Sequence, residues 1–156
     1  MKELTGNIWD YHEKGNWIVI TTNGSRRQDG ACVMGRGGAL EAKQRYPDLP
    51  KDLGQLITIF GNLVFKFPSL KLFAFPVKRL WYEKADLTLI EESAKRLLYH
   101  VRLTQEWPVY LVRPGCGNGG LDWKDVKPIL EKYLDERFIV VERMPQEVIE
   151  CKGGKS

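Results

Sequence analysis

Apolar positions along this chain recur with two different periods, and the switching between them sets the fold class. Residues 17–22, Trp-Ile-Val-Ile-Thr-Thr, form a continuous β-branched run after Gly15-Asn16, the composition of a central strand buried on both faces. Two shorter runs, 62–67 and 71–77, are split by Pro68-Ser69 and predict an antiparallel pair joined by a tight turn. Residues 108–112 and 138–142 are further strands, and Leu4 and Ile8 around Thr5-Gly6-Asn7 read as a short strand ending in a polar turn.

Between these runs the period lengthens to that of a helix. Ala39, Leu40 and Ala42 begin a helix that Tyr46-Pro47 stops, and Leu53, Leu56, Ile57 and Phe60 put one apolar face on a second helix over 50–60. The clearest helix covers 86–103, with Asp86 as its cap, Glu91 and Glu92 in its first half, and Leu89, Ile90, Ala94, Leu97, Leu98 and Val101 at helical spacing. Residues 122–134 are helical by pattern, although Pro128 removes an interior hydrogen bond unless one turn ends and another starts there.

Strands alternating with helices predict an α/β fold, a three-layer α/β/α domain over 1–143 with a mixed, roughly six-stranded sheet. Residues 144–156 are a poorly patterned tail, expected to be partly frayed. Ligands of such sheets bind outside the strand carboxyl ends, where the turns after Thr22, Val77 and Val112 converge.

Composition narrows the chemistry. At 156 residues and 43% hydrophobic, the chain can bury one core of ordinary size but not two. Lys and Arg exceed Asp and Glu by 24 to 20, so the net charge of +4 permits a polyanionic partner without the footprint of a dedicated nucleic-acid binder. Cys32, Cys116 and Cys151 lack metal-ligand spacing, and no charged-then-apolar segment opens the chain. The expectation is a cytoplasmic protein without a disulfide framework. No apolar run approaches the roughly 20 residues of a membrane helix. His12 and His100 are the only histidines, too few for a zinc site or a histidine-based triad, so neither metal nor cofactor is expected.

Glycine supplies the candidate chemistry. Four of the six residues 115–120, Gly-Cys-Gly-Asn-Gly-Gly, are glycine, between a strand and a helix. Such a segment turns successive backbone N–H groups toward one point, and the helix N-terminus behind it favours an anion. A second cluster, Gly35-Arg-Gly-Gly38, precedes the helix that starts near Ala39. The first cluster is also a literal G-x-G-x-x-G with Glu142 ending the next strand 22 residues after Gly120, which raises a nicotinamide-dinucleotide site. Against it, 14 residues follow Glu142, short of the further crossover and strand that a dinucleotide half requires.

Four ordered segments then resemble a macro domain: Gly6-Asn7-Ile8; the strand ending at Asn23 together with Val33-Met-Gly-Arg-Gly-Gly-Ala-Leu40; Phe75-Pro-Val-Lys78 with Trp81; and Gly115-Cys-Gly-Asn-Gly-Gly-Leu-Asp-Trp123. Within that family the chain is similar to the branch holding terminal ADP-ribose protein glycohydrolase and the DNA ADP-ribosyl glycohydrolase antitoxins, which share F-P-x-K and G-x-G-N-G-G-L-x-W. The resemblance implies ADP-ribose binding, with adenine near Asn7 and Ile8 and the distal ribose near Asn23 and Gly35, Arg36, Gly37 and Gly38. It puts the diphosphate on Gly115, Cys116, Gly117, Asn118, Gly119, Gly120 and Leu121. Lys78 falls on the catalytic lysine.

The residues fit these roles on their own chemistry. An amide such as Asn7 or Asn23 both donates and accepts, which suits an adenine edge or ribose hydroxyls. A lysine at a strand end becomes a nucleophile once burial or a neighbouring cation such as Arg79 lowers its pKa; the alternative is that it stays charged and acts electrostatically. Two departures stand out. The aspartate that assists the lysine in the protein-acting enzyme aligns with Gly119, and 24–32, carrying Arg26 and Arg27, is longer than the corresponding antitoxin turn. Asp122 is the nearest acid, and its expected work is to cap the helix that follows.

The reading is a monomeric ADP-ribosyl glycohydrolase whose partner is ADP-ribose or an ADP-ribosylated macromolecule, with nucleic acid, and a DNA base in particular, among the substrates. Alternatives are a non-catalytic reader of ADP-ribose, and a hydrolase of ADP-ribose 1″-phosphate or O-acyl-ADP-ribose.

Overall fold

A computed structural model describes residues 1–144; the tail expected over 144–156 lies outside them apart from its first residue. In chain order the elements are β1 (Lys2–Gly6), α1 (Ile8–Glu13), β2 (Trp17–Asn23), α2 (Gly37–Arg45), α3 (Leu49–Phe60), β3 (Phe65–Phe67), β4 (Leu72–Lys78), α4 (Leu87–Thr104), β5 (Val109–Val112), α5 (Trp123–Glu131) and β6 (Phe138–Arg143). The six strands form one sheet in the order β1-β6-β5-β2-β4-β3. All neighbours are parallel except β3, which pairs antiparallel with β4 through Phe65↔Ala74 and Phe67↔Leu72. This is the mixed sheet expected from the alternation of periods.

Successive side chains of a strand point to opposite faces, and this alternation divides the core in two. On one face Val19 of β2 and Phe73, Phe75 and Val77 of β4 pack against Ile90, Ala94, Leu97 and Val101 of α4 and against Val126 and Leu130 of α5. On the other, Ile18, Ile20, Leu72 and Ala74 pack against Trp9 of α1, Ala42 of α2 and Leu53 and Ile57 of α3. Each large apolar side chain fully removed from water contributes about 1.5–3 kcal/mol, so β2 and β4, buried on both faces, anchor the domain. The carboxylate of Asp86 accepts from the Thr88 and Leu89 amides at 2.8 and 3.4 Å and starts α4, satisfying two donors that have no partner inside the helix.

Four details differ from expectation. Ile8 does not continue the first strand; it opens α1, whose start is set by Asn7, the side chain of which accepts from the Trp9 amide at 3.0 Å. The Pro68-Ser69 connection is a 3-10 turn, Pro68–Leu70, closed by Lys71 in the left-handed region at φ 52°. It leaves β3 only three residues long. Pro128 sits inside α5 without ending it. Asp122 occupies the N-cap position of α5, but its carboxylate makes no capping hydrogen bond. No helix among the described residues is long and apolar enough to cross a membrane.

Candidate functional site: a cleft across the strand ends

Parallel neighbours end on the same side of a sheet, so β6, β5, β2 and β4 deliver Arg143, Val112, Asn23 and Lys78 to one edge. A cavity of about 680 Å³ opens there, lined by all four of these residues, a size that suits a ligand with several rings. From β6 to β4 is three strand spacings, about 14 Å at ~4.8 Å each. The cleft is therefore elongated along the sheet edge.

Two backbone segments form its anion-binding wall. Between β5 and α5 the chain turns with positive φ at Gly115, Gly117 and Gly120. The turn is held by hydrogen bonds from the Leu121 amide to the Gly115 carbonyl at 3.0 Å, from the Gly120 amide to the Gly117 carbonyl at 3.1 Å, and from the Ala85 amide to the Gly119 carbonyl at 2.9 Å. A Cβ at Gly119 would overlap the Gly115 carbonyl oxygen, so this close approach requires glycine there. The amides of Gly117, Asn118 and Gly119 find no protein acceptor among the described residues. The second segment is the start of α2, where Arg36 takes the N-cap position without a side-chain hydrogen bond to the orphan amides. The segments meet: a Cβ on Gly37 would lie 3.1 Å from Asn118 Nδ2. Free amides at a helix N-terminus facing free amides in a glycine loop suit a diphosphate.

Lys78 stands at the end of β4, half-buried. Burial, and next the like charge of Arg36, hold its amine below the ordinary lysine range. The cation responsible is Arg36 and not Arg79, whose exposed guanidinium pairs with Glu83 at 3.4 Å. Asn23, at the neighbouring strand end, is buried. Its Nδ2 donates to the Val33 carbonyl at 3.1 Å and its Oδ1 accepts from the Ser25 amide at 2.8 Å. One N–H and one lone pair remain for a ligand.

At the β6 end the wall consists of paired charges. Glu41 on α2 accepts from Arg143 Nη2 at 2.6 Å and from Trp9 Nε1 at 3.1 Å, and the guanidinium of Arg45 lies 4.3 Å from the Trp9 ring centroid. Arg113 pairs with Glu142 at 3.3 Å and sits 4.9 Å from the Trp123 ring centroid. Its buried Nε has no partner among the described residues. Glu41 and Glu142 are the carboxylates in the lining, and each is held by an arginine.

Of the residues singled out in the sequence, Ile8, Asn23, Gly35, Arg36, Gly37, Gly38, Lys78, Gly115, Cys116, Gly117, Asn118 and Gly119 line this one cavity. Gly120 and Leu121 belong to the loop but not to the lining, and Asn7 lies behind it with its amide oxygen engaged as the α1 cap. Burial pushes the Cys116 thiol up, against the pull of Arg113, and pushes Cys32 up to about 11, so neither is a ready thiolate. Sequence reading missed Trp9, Glu41, Arg113 and Arg143. Asn7 directly before Ile8-Trp9 was a usable helix-start signal, but nothing local announces contacts spanning 32 and 102 residues.

No family model matches the chain. Proteins named DNA ADP-ribosyl glycohydrolase do: that of Thermus aquaticus is 29% identical over 113 residues, covering 66% of this chain and 31% of its own length. That of Mycobacterium tuberculosis is 32% identical over 104 residues, covering 61% of this chain and 30% of its own. The chain thus spans about a third of the length of these curated relatives. Among solved structures, the macrodomain of Thermus aquaticus DarG superposes with a TM-score of 0.73 at 26% identity, over 92% of this chain and 97% of that one. The macrodomain of Mycobacterium tuberculosis DarG gives 0.69 at 25%, over 92% and 97%. Thermosipho africanus DarTG in complex with ADP-ribose gives 0.69 at 21%, over 84% of this chain and 38% of that chain. With its six-stranded mixed sheet and a glycine-walled cleft at the strand ends, the chain has the macrodomain fold and is similar in sequence and structure to the macrodomains of DarG.

Proposed function

We propose that the cleft binds ADP-ribose and that the protein hydrolyses the bond joining the distal ribose to a nucleobase of DNA, acting as a cytoplasmic monomer. The observation that carries this reading is Lys78: an amine below its ordinary pKa, beside Asn23 and opposite a wall of unsatisfied amides. The names of the relatives support the substrate class. Adenine would lie at the β6 end against Ile8 and Trp9, the diphosphate on the amides of Gly117 to Gly119 and the start of α2, and the distal ribose between Asn23 and Lys78.

In this mechanism the neutral Nζ of Lys78 attacks the anomeric carbon through an oxocarbenium-like state. The C–N bond to the base breaks, its electron pair leaves on the base nitrogen, and that nitrogen receives, through water, the proton shed by the newly alkylated amine. The new ribose–lysine bond is then hydrolysed, returning the amine. Gly119, where the protein-acting branch carries aspartate, supports a lysine-centred reaction without a partner acid. The same lack of a free carboxylate, since Glu41 and Glu142 are both paired with arginine, favours a second reading, a module that binds ADP-ribose without turning it over.

The test offers ADP-ribosylated DNA, ADP-ribosylated protein and ADP-ribose 1″-phosphate to wild type and Lys78→Ala. The expected result is release from DNA, reduced on the order of 100-fold or more in kcat by Lys78→Ala, with ADP-ribose affinity by calorimetry changed only a few-fold. Binding without release from any substrate leaves the reader reading; full activity of Lys78→Ala overturns the mechanism.

A further inference from the structure

Trp81 and Val33 line the cleft and also a second groove of about 520 Å³, whose other walls include Arg26, Arg27, Leu80 and Tyr82. The two depressions adjoin, with Trp81 and Val33 as common walls. We propose that the second groove holds the single strand of nucleic acid flanking the modified base, with Trp81 and Tyr82 stacking bases and Arg26 and Arg27 holding phosphates. This rests on the reading that the cleft receives an ADP-ribosylated nucleobase.

The loop that brings the arginines here is built, not loose. Its base is an antiparallel bridge between Arg26 and Cys32, and it is closed by the Arg27 amide donating to the Ala31 carbonyl at 2.7 Å and the Gly30 amide to the Arg27 carbonyl at 2.9 Å. The Cys32 amide donates to the Pro50 carbonyl at 2.8 Å, tying the loop to α3. Gly54 lies inside α3, where glycine costs about 1 kcal/mol relative to alanine; a Cβ there would overlap the Gly30 carbonyl oxygen. The glycine is explained by the loop. On the other side, the Trp81 amide donates to Ser25 Oγ at 2.9 Å and the Gly24 amide to the Arg79 carbonyl at 2.9 Å, so the segment after Lys78 and the arginine loop form one unit.

What this unit presents is specific in chemistry. Trp81 and Tyr82 are 47% and 66% exposed, with ring centroids 5.6 Å apart and planes at 85°, two apolar faces left in water. Arg26 Nη1 donates to Thr58 Oγ1 at 2.9 Å, which orients the guanidinium without neutralising it. Among the described residues neither Arg26 nor Arg27 has a carboxylate within ion-pair distance. Free π faces beside unneutralised guanidiniums are what unstacked bases and their phosphates require. A base delivered to Lys78 must leave its stack, so its neighbours arrive unstacked. An acidic peptide would meet the arginines but has no use for two adjacent aromatic faces.

Fluorescence anisotropy with an unmodified five-nucleotide DNA single strand at low salt reads the groove, and calorimetry with free ADP-ribose reads the cleft. Wild type is expected to bind the strand with quenching of tryptophan fluorescence. The double substitution Arg26→Ala, Arg27→Ala is expected to weaken this at least tenfold while ADP-ribose affinity stays within twofold. The slope of log affinity against log salt should fall in magnitude by about 1.4, two contacts at about 0.7 each. Gly54→Ala, confirmed folded by circular dichroism, displaces the loop without removing a charge and should weaken strand binding in the same direction.

The proposal is overturned if wild type does not bind the strand, if the double variant binds it as wild type does, or if an acidic peptide of equal charge binds as well and is lost with the same substitutions. Strand binding without release of ADP-ribose from any substrate would sink the hydrolase reading and leave the groove. Release from DNA with a KM indifferent to Arg26 and Arg27 would do the reverse.

Discussion

The two ends of the cleft use arginine and lysine in opposite ways. At the β6 end Arg143 is matched by Glu41 and Arg113 by Glu142. At the β4 end Lys78 and Arg36 have no carboxylate within ion-pair distance among the described residues. Matched charges fix the shape of a wall and leave little field beyond it. Unmatched cations attract anions and disfavour one another's charged forms. In the proposed mechanism the β6 end holds the ligand, and the β4 end, where Arg36 helps to lower the Lys78 pKa, is where a proton can be absent when a nucleophile is needed. The glycine loop between them serves both, offering amides whose positions do not depend on pH.

Glycine substitutions break that arrangement most sharply. Gly119→Ala puts a methyl group onto the Gly115 carbonyl, so the loop must shift. The expected loss is about 1–3 kcal/mol of stability and on the order of tenfold or more in ADP-ribose affinity, measured by thermal unfolding and calorimetry. Gly38→Ala is the contrast, since a Cβ there meets nothing within 4 Å and should leave stability unchanged. Equal effects at the two glycines would refute the claim that close backbone approach makes the loop. The overlap also means that the acid found at this position in the protein-acting branch cannot be restored by one substitution without re-routing the loop.

Much of this was legible in the sequence because it is local. The β-branched run at 17–22, the Asp86 cap and the glycine spacing each depend on neighbours in the chain, and each has a direct counterpart in β2, the start of α4 and the β5–α5 loop. The convergence of three turns followed from strand direction alone. What escaped was tertiary. Ile8 looked like strand because six residues of α1 are too few to establish a period, and Pro128 passes through α5 because Val126 and Leu130 are buried firmly enough to hold the helix around it. The arginine–glutamate pairing at the β6 end joins residues of β6 and α2 whose proximity exists only once the sheet has formed.

The pH dependence sharpens the contrast between the ends. If the reacting species is the neutral amine, kcat rises as pH climbs through the lowered Lys78 pKa and levels above it. Arg36→Gln removes the second of the two causes of that shift, leaving burial, so the rising limb should move to higher pH in a rate profile at saturating substrate. A shift to lower pH, or a flat profile in wild type, would be incompatible with nucleophilic Lys78. The same shift bears on stability. An amine whose pKa is lower folded than unfolded binds more protons unfolded, so the fold loses stability as pH falls from the free-lysine range through the folded pKa.

The smallest effect belongs to the holding end. Glu41→Gln keeps the shape and one acceptor for Trp9 Nε1 but removes the charge facing Arg143. The pair is partly exposed, with side chains 44% and 32% accessible, so its loss should cost about 1 kcal/mol or less. If the β6 end only positions adenine, KM for an ADP-ribosylated substrate rises about two- to fivefold while kcat stays nearly constant, the signature of binding lost equally from ground and transition states. A fall in kcat as large as the rise in KM would mean that Glu41 reaches the reacting ribose, and the division of the cleft into a holding end and a reacting end would not survive it.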